Sequence, residues 1–288
     1  MSIYKPFHMH NTLIDSKKLL TIIDKPNTLV FDCRHDLTNR EYGITSYRKG
    51  HLPKAIFACM ENDLSKKPDG TNGRHPLPDA NLFSDWLNQC GVTRTTQVVT
   101  YDDAGGVYAS RLWWMLRWVG HNAVAVLDGG IQDWIKHGGS TEFEATHKSS
   151  RSKFEPQPRD IFVDANFILT RLQHNQMLVI DARANDRFHG RNETIDPIAG
   201  HIPGAINRFF KNNLNQAGKF RDACELKVSF EQIIGDTPSS DVIHQCGSGV
   251  TACHNLLAME VAGLHGSKLY PGSWSEWITD PSRPVSTD

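Results

Sequence analysis

The sequence has little charge imbalance and no long apolar run. Its 288 residues include 31 basic and 32 acidic side chains, which gives a formal net charge of −1. So balanced a chain has no general electrostatic attraction for nucleic acid or for an anionic membrane surface. No apolar run approaches the roughly 20 residues of a membrane span, and the first residues lack the apolar stretch of a secretory signal. We therefore expect a cytoplasmic protein with no nucleic-acid partner and no membrane association.

Cysteine is also sparse, with six residues in the whole chain. This number is too small for a disulfide framework in a protein of this length and agrees with a reduced compartment. The cluster His244, Cys246, Cys253 and His254 does not have the Cys-x2-Cys spacing of structural zinc sites, and adjacent helical side chains point apart. We expect no metal site and no cofactor.

What the sequence does contain is an internal repeat. Four blocks recur in the same order in the two halves, at nearly constant spacing. A period this long corresponds to a whole domain rather than to a solenoid repeat. The pairs Asp32 and Asp181, His51 and His201, Asp102 and Cys246, and Trp134 and Trp277 are 149, 150, 144 and 143 residues apart.

Short apolar strands alternate with helices in both halves, which predicts two α/β domains, each a mainly parallel sheet with helices on both faces. We expect an N-terminal domain over 1–140, a polar linker over 141–160 and a C-terminal domain over 161–288. The local patterns predict strands over 28–32, 97–101, 123–127 and 241–245, helices over 15–24, 80–90, 108–119 and 252–261, and a long loop over 61–78.

The strand at 241–245 leads into a glycine-containing loop with one cysteine, Cys246. A cysteine between a strand and a helix lies where backbone N–H groups converge, and the helix dipole favours its thiolate. We expect the loop residues Gly247, Gly249, Val250 and Thr251 to surround a bound anion with their N–H groups. The alternative for Cys246 is a buried small hydrophobe, but the flanking glycines favour a nucleophile.

Asp102 occupies the corresponding position in the first half. Because a carboxylate cannot perform thiol chemistry, we expect the first domain to be non-catalytic. In parallel sheets the active site lies at the carboxyl ends of the strands. The sequence thus predicts one active site, at Cys246 and facing the cleft between the domains.

Several motifs together resemble those of the tandem-rhodanese sulfurtransferases over roughly residues 13–285. They are the paired Asp-x-Arg strand ends, the His-[Leu/Ile]-Pro-x-Ala turns, the cysteine loop and the terminal Gly272-Ser273-Trp274-Ser275-Glu276-Trp277. Within this family the cysteine loop is similar to that of the 3-mercaptopyruvate sulfurtransferases, since no basic residue follows the cysteine. The closest alternative is a thiosulfate:cyanide sulfurtransferase.

The resemblance implies a reaction. Sulfur from a small-molecule donor, 3-mercaptopyruvate, would pass to Cys246 as a persulfide with release of pyruvate. The acceptor would be thioredoxin or a small thiol, or cyanide in an assay.

The resemblance also implies a substrate clamp. Arg187, in the pair Arg187-Phe188, matches the family's first substrate-binding arginine. The second arginine of the family pattern is missing from the shorter segment 192–197, and Arg191 is the nearest substitute.

A serine–histidine–carboxylate relay to the cysteine is a further implication. Ser248 matches the serine and His75 the histidine. Glu61 is the best match for the carboxylate, with Asp63 as the second choice. Without the resemblance, His75 would be interpreted as a solvated histidine in a polar loop.

Two other functions are weaker alternatives. A cysteine phosphatase needs an arginine six residues after the nucleophile, and that position is Ala252. A non-catalytic binding module would have lost the cysteine. The charged strand ends Asp32, Arg34, Asp181 and Arg183 occur in both halves, so we interpret them as structural ion pairs, and we expect Cys253 to be buried.

Overall fold

Parallel strands form two separate sheets in the computed structural model, which describes residues 9–146, 152–172 and 177–287. The first sheet has five strands in the order β1-β5-β4-β2-β3. They are β1 (Leu13–Ile14), β2 (Thr28–Asp32), β3 (Ile56–Phe57), β4 (Gln97–Tyr101) and β5 (Val124–Leu127). The accompanying helices are α1 (Ser16–Leu20), α2 (Tyr42–Lys49), α3 (Ala80–Gln89), α4 (Ala109–Trp118) and α5 (Gly130–Lys136).

The second sheet has four parallel strands in the order β7-β6-β8-β9. They are β6 (Leu178–Asp181), β7 (Ile206–Asn207), β8 (Val242–Gln245) and β9 (Lys268–Leu269). Its helices are α6 (Ala165–Arg171), α7 (Asn185–Phe188), α8 (Ala223–Ile234), α9 (Ala252–Val261) and α10 (Ser273–Trp277), with 3₁₀ turns at Phe210–Asn213 and Ser239–Asp241. The prediction of two α/β domains is confirmed.

Most local predictions are confirmed, but one predicted helix is longer than the helix in the structure. Residues 28–32, 97–101 and 252–261 form the predicted elements, and 61–78 contains neither helix nor strand. The helix predicted over 15–24 ends at Leu20, after which the backbone closes in turns such as the bond from Ile22 N–H to Leu19 O. Helix α2 was not predicted, because its buried face consists only of Gly43 and Tyr47 and therefore gives no apolar periodicity.

The duplicated charged strand ends are structural. Arg34 pairs with Asp32 and also donates to Gly50 O at 2.7 Å. In the second domain Arg183 pairs in the same way with Asp181 and donates to Gly200 O at 2.7 Å. Both arginines thus fasten the end of a central strand to the following turn, as their duplication indicated.

The described residues at the end of the predicted linker pack against the first domain. Residues 147–151 of this linker lie outside the described residues. Beyond them, Phe154 is buried and the Gln157 N–H bonds to Val119 O at 2.9 Å. Phe162 then bridges to Leu269 in the second sheet.

An apolar interface joins the two domains. Helix α4 is buried along nearly its whole length, because the first sheet covers one side and α9 of the second domain lies against the other. Arg117 on α4 pairs with Glu260 on α9 at 3.0 Å, and His254 Nε2 lies 3.0 Å from Gly105 O. Within the described parts of the chain, no helix combines the length and hydropathy needed to cross a membrane.

Candidate active site

Cys246 lies between β8 and α9, at the carboxyl end of the second sheet, and is 1% exposed. The Gly249 N–H points at its sulfur, with 3.2 Å between N and Sγ. Gly249 has φ = 77°, and a Cβ at this position would lie 2.2 Å from Pro271 O. Only glycine fits there, because a side chain would be strained and would collide with backbone.

The equivalent loop of the first domain shows what this backbone binds. Gly105, which precedes Gly249 by 144 residues, has φ = 76°. The Asp102 O accepts the Ile131 N–H at 3.1 Å, just as Cys246 O accepts that of Trp274 at 2.9 Å. The buried Asp102 carboxylate accepts four backbone N–H groups at 2.8–2.9 Å, from Ala104, Gly106, Tyr108 and Ala109.

The Asp102 carboxylate has a direct chemical parallel at Cys246. Burial raises the pKa of Asp102, and its four backbone hydrogen bonds act in the opposite direction. Its oxygens lie two bonds beyond Cβ, and the outer sulfur of a cysteine persulfide lies two bonds beyond Cβ as well. The first loop therefore holds an anion at the place where the second loop would hold a persulfide.

His75 and Ser248 come together across the domain interface. His75 Nδ1 lies 2.8 Å from Ser248 Oγ. Burial is the largest cause that lowers the pKa of His75 to about 3, and the nearby Arg111 acts in the same direction. The interpretation of His75 as a solvated histidine is wrong, since the residue is 8% exposed and packed against the cysteine loop. At neutral pH its imidazole is uncharged.

The carboxylate of the predicted relay lies near two histidines, His35 and His75. A Glu61 oxygen and ring nitrogens of His35 and His75 lie within 4.8 Å of one another, and Glu61 Oε1 is 3.7 Å from His35 Nε2. Asp63 instead accepts the Cys59 N–H at 2.8 Å. His35 was not predicted, although its place after the Asp-x-Arg end of β2 put it at the active edge of the sheet. Among the described residues, the side chains of His35, Glu61 and His75 are close enough together to hold a metal ion. The expected absence of a metal site therefore stays a prediction.

A fully buried arginine on α4 connects the parts of the site. Arg111 donates to Gly249 O at 3.1 Å, to His75 O at 3.1 Å and to Leu64 O at 3.3 Å. It therefore ties the cysteine loop of one domain to the His75 segment of the other. The sequence pattern does not indicate this role, because Arg111 lies in a helix that is mostly apolar.

Arg187, the predicted clamp, lies beside the cysteine loop and is held by two carboxylates. Its guanidinium contacts Glu193 at 2.9–3.2 Å and Asp196 Oδ2 at 3.1 Å. Both acids come from the segment 192–197, which departs from the family pattern, and both side chains are nearly fully buried. Arg191 is exposed, and its recorded contact among the described residues is its N–H to Asp186 O at 2.8 Å.

A second guanidinium reaches the loop from the first domain. Arg74 pairs with Asp196. The point where a Cβ of Gly247 would lie is 2.7 Å from Arg74 Nη2 and 3.7 Å from Arg187 Nη2. Burial is the largest cause that lowers the pKa of Arg74, and the positive charge of the nearby Arg187 acts in the same direction. Sequence analysis missed Arg74, although it directly precedes His75.

Comparison with known proteins identifies the family. The model of the rhodanese-like domain matches residues 15–137 and again 164–280. The chain belongs to the tandem-rhodanese sulfurtransferases.

Individual relatives of this sulfurtransferase cover nearly its whole length. A Pseudomonas aeruginosa protein named "Probable 3-mercaptopyruvate sulfurtransferase" is 41% identical over 278 residues, which are 96% of this chain and 98% of that protein. The thiosulfate sulfurtransferase of Rattus norvegicus is 31% identical over 280 residues, 94% of this chain and 93% of that one. The solved structure of the 3-mercaptopyruvate sulfurtransferase from Leishmania major has a TM-score of 0.82 at 30% identity, covering 95% of this chain and 75% of that chain.

A cavity of about 920 Å³ opens beside the active site of the sulfurtransferase. Most of its wall comes from the first domain, and the second domain contributes only part of it. Its lining includes the candidate site residues His35, Glu61, Arg74 and His75, together with Ile195 and Ser275 of the second domain. Small molecules therefore have a route toward the His75 side of the cysteine loop.

The parallel between the two loops predicts that an aspartate can replace the nucleophile without disturbing the fold. In Cys246→Asp the carboxylate should accept loop N–H groups as Asp102 does, whereas the isosteric Cys246→Asn carries an amide with no charge. We expect the free energy of unfolding of the aspartate variant to exceed that of the asparagine variant by about 1–3 kcal/mol. Urea unfolding at pH 8 measures this difference, and equal stability of the two variants would contradict it.

Proposed function

We propose that this sulfurtransferase moves the sulfur of 3-mercaptopyruvate to a thiol acceptor through a persulfide on Cys246. The observation that carries the proposal is the Asp102 carboxylate, which is bound by four backbone N–H groups in the duplicated loop. A persulfide anion on Cys246 would place its charge at the same point of the same backbone. Converging N–H groups and the start of α9 would stabilise that charge.

The chemistry follows from a thiolate facing a donor sulfur. The Cys246 thiolate attacks the sulfur of 3-mercaptopyruvate, and an S–S bond forms as the donor C–S bond breaks. The electron pair of the broken bond passes to carbon and gives the enolate of pyruvate. The proton that left the donor thiol completes pyruvate at that carbon. An acceptor thiolate then takes the outer sulfur and restores the Cys246 thiolate.

Ser248 and His75 would move that proton. His75 is neutral, and its contact with Ser248 lets the hydroxyl both donate and accept. A hydroxyl so placed next to Cys246 would stabilise the enolate oxygen or carry the thiol proton. His35 and Glu61, close to His75, would orient its ring.

The donor carboxylate would be bound by Arg187, because a planar guanidinium suits a carboxylate. Arg191 remains the predicted alternative from the same segment. Thiosulfate is the second candidate donor, which the similarity to the rat thiosulfate sulfurtransferase supports. We favour 3-mercaptopyruvate because the loop from Gly247 to Thr251 contains no cation of its own.

The acceptor would approach through the cavity beside His75. A small thiol fits a cavity of this size, and the exposed end of a thioredoxin could present its cysteine at the opening. No disulfide joins any of the six cysteines, all of which lie within the described residues. We therefore propose a thiol acceptor in a reduced compartment, the cytoplasm.

Donor preference tests the proposed function. We expect kcat/KM for sulfur transfer to cyanide to be at least tenfold higher with 3-mercaptopyruvate than with thiosulfate, about 1.4 kcal/mol in transition-state binding. Steady-state assays with both donors measure this ratio. Cys246→Ser is the control and should be inactive with either donor while unfolding like the wild type.

A preference for thiosulfate would replace the proposed donor by the alternative. Turnover by Cys246→Ser would contradict the persulfide route altogether.

The proposed relay predicts that replacing Ser248 lowers kcat and that the size of this loss does not change with pH. Ser248→Ala should lower kcat with 3-mercaptopyruvate by roughly a hundredfold or more, as loss of positioned proton transfer does. Because the pKa of His75 is lowered to about 3, the ring stays neutral as the pH falls from 8 to 5. The ratio of wild-type to Ser248→Ala activity should therefore be constant across this range.

Measurement of kcat for both enzymes at each pH tests the relay. A ratio that falls with a midpoint near pH 6.5 would show a protonatable histidine and contradict the neutral relay.

A further inference from the structure

Three side chains that can bind a metal meet beside Ser248, and they come from two loops of the first domain. Ligand atoms of His35, Glu61 and His75 all lie within 4.8 Å of one another. Glu61 Oε1 is 3.7 Å from His35 Nε2. Two ligands of a tetrahedral zinc ion stand roughly 3.3 Å apart at ordinary zinc–nitrogen and zinc–oxygen distances. The group is therefore close to the arrangement that a zinc ion needs.

His35 has a buried nitrogen without a partner. The residue is 6% exposed, and its Nε2 makes no hydrogen bond to any described residue. A buried polar atom left in this way is costly and calls for an explanation, such as a bound ion. The nearest carboxylate oxygen, on Glu61, is too far away for a hydrogen bond. A metal ion between the nitrogen and this oxygen would bind both.

The two histidine rings are held in place before any ion binds. The rings of His35 and His75 meet edge to face with 6.2 Å between their centroids, and His35 meets Tyr108 in the same way at 5.0 Å. Ser248 Oγ lies 2.8 Å from His75 Nδ1. A histidine that binds a metal usually has its second ring nitrogen hydrogen-bonded in this manner. Such an ordered ligand set loses little conformational freedom when it binds.

The cavity beside the active site gives an ion a path to this group. His35, Glu61 and His75 all line it, and the Glu61 side chain is 31% exposed, so it can rotate to close the remaining distance. Two imidazoles and one carboxylate are a donor set of zinc sites that keep a fourth position for water. Magnesium and calcium prefer oxygen ligands, so the two histidines disfavour them.

We propose that His35, Glu61 and His75 form an inhibitory zinc site. A neutral imidazole has one lone pair, and an ion bound to it leaves His75 unable to accept the Ser248 proton. Zinc therefore blocks the proton relay without touching the Cys246 sulfur. This effect on turnover rests on the proposed function, whereas the binding of zinc does not. The sequence-based expectation of no metal site rested on the residues around Cys246, and the three ligands lie in the first domain.

Zinc binding is measured on Cys246→Ser protein, which lacks the nucleophilic thiol, by competition with a chromophoric zinc chelator. We expect His35→Gln and Glu61→Gln, each made in this protein, to raise the Kd of the site by about a hundredfold or more, because even loss of an outer partner of a metal ligand costs tenfold to a hundredfold. Glu61→Gln exchanges one atom on a partly exposed side chain, so it tests the site even where His35→Gln perturbs folding.

His265→Gln is the matched control. His265 Nδ1 also lies beside a carboxylate, 3.1 Å from Glu260 Oε2, but this pair belongs to no metal-ligating group among the described residues. In Cys246→Ser protein, His265→Gln should leave the zinc affinity unchanged.

Turnover by the enzyme with Cys246 intact distinguishes zinc at His75 from zinc at the thiolate. Transfer from thiosulfate moves no proton, because sulfite leaves with the electron pair of the broken S–S bond. At a buffered free zinc concentration that saturates the site, we expect kcat with 3-mercaptopyruvate to fall by roughly tenfold or more, since the relay is lost, and kcat with thiosulfate to fall less than about twofold. His35→Gln should change less than about twofold with either donor, relative to its own rate without zinc.

The outcomes are distinct. If the wild type turns over neither donor but His35→Gln and Glu61→Gln weaken zinc binding, the proposed function fails and the zinc site stands. If the wild type is active and both variants bind zinc as tightly as His265→Gln does, the zinc site is overturned. Equal inhibition with both donors that persists in His35→Gln would place the ion on the Cys246 thiolate and contradict the proposal as well.

Discussion

The active site depends on one buried guanidinium. Arg111 is removed from water by the apolar packing of α4 against α9, and it must therefore find acceptors inside the protein. It finds them in the carbonyl groups of Gly249, His75 and Leu64, which belong to the cysteine loop and to the long loop of the first domain. A buried charge without acceptors would destabilise the fold. The hydrogen bonds of Arg111 therefore hold the cysteine loop of one domain against the His75 segment of the other.

Duplication explains how the two domains divide the work. Both loops keep the same left-handed glycine, and in both the first loop residue accepts a backbone N–H from a later helix, α5 in the first domain and α10 in the second. In the first domain the Asp102 carboxylate fills the loop and accepts four of the converging N–H groups. In the second domain the thiol of Cys246 is one atom shorter than a carboxylate, and in the proposed mechanism the N–H groups beyond Sγ would hold the outer sulfur of a persulfide. The first domain also contributes to the site, because His75 and Arg74 lie beside the cysteine loop of the second domain.

Sequence analysis captured the fold because strand and helix periodicities and the internal repeat are local or linear signals. It also predicted Cys246 from the strand–loop–helix pattern and Ser248 and His75 from the family resemblance, and the structure brings the side chains of Ser248 and His75 together. It could not find Arg74, Arg111 or His35, whose roles depend on which surfaces meet when the domains pack. The acids Glu193 and Asp196 were missed for the same reason: only the folded loop shows that they bury themselves against Arg187.

The most direct test of the account is the mass of the intact protein after brief mixing with 3-mercaptopyruvate and removal of the donor. The account predicts that the protein gains one sulfur atom, that cyanide removes it, and that peptide mapping places it on Cys246. Cys246→Ser should gain nothing. Sulfur retained on another cysteine, or turnover without any mass gain, would contradict the central claim that this loop exists to hold a persulfide.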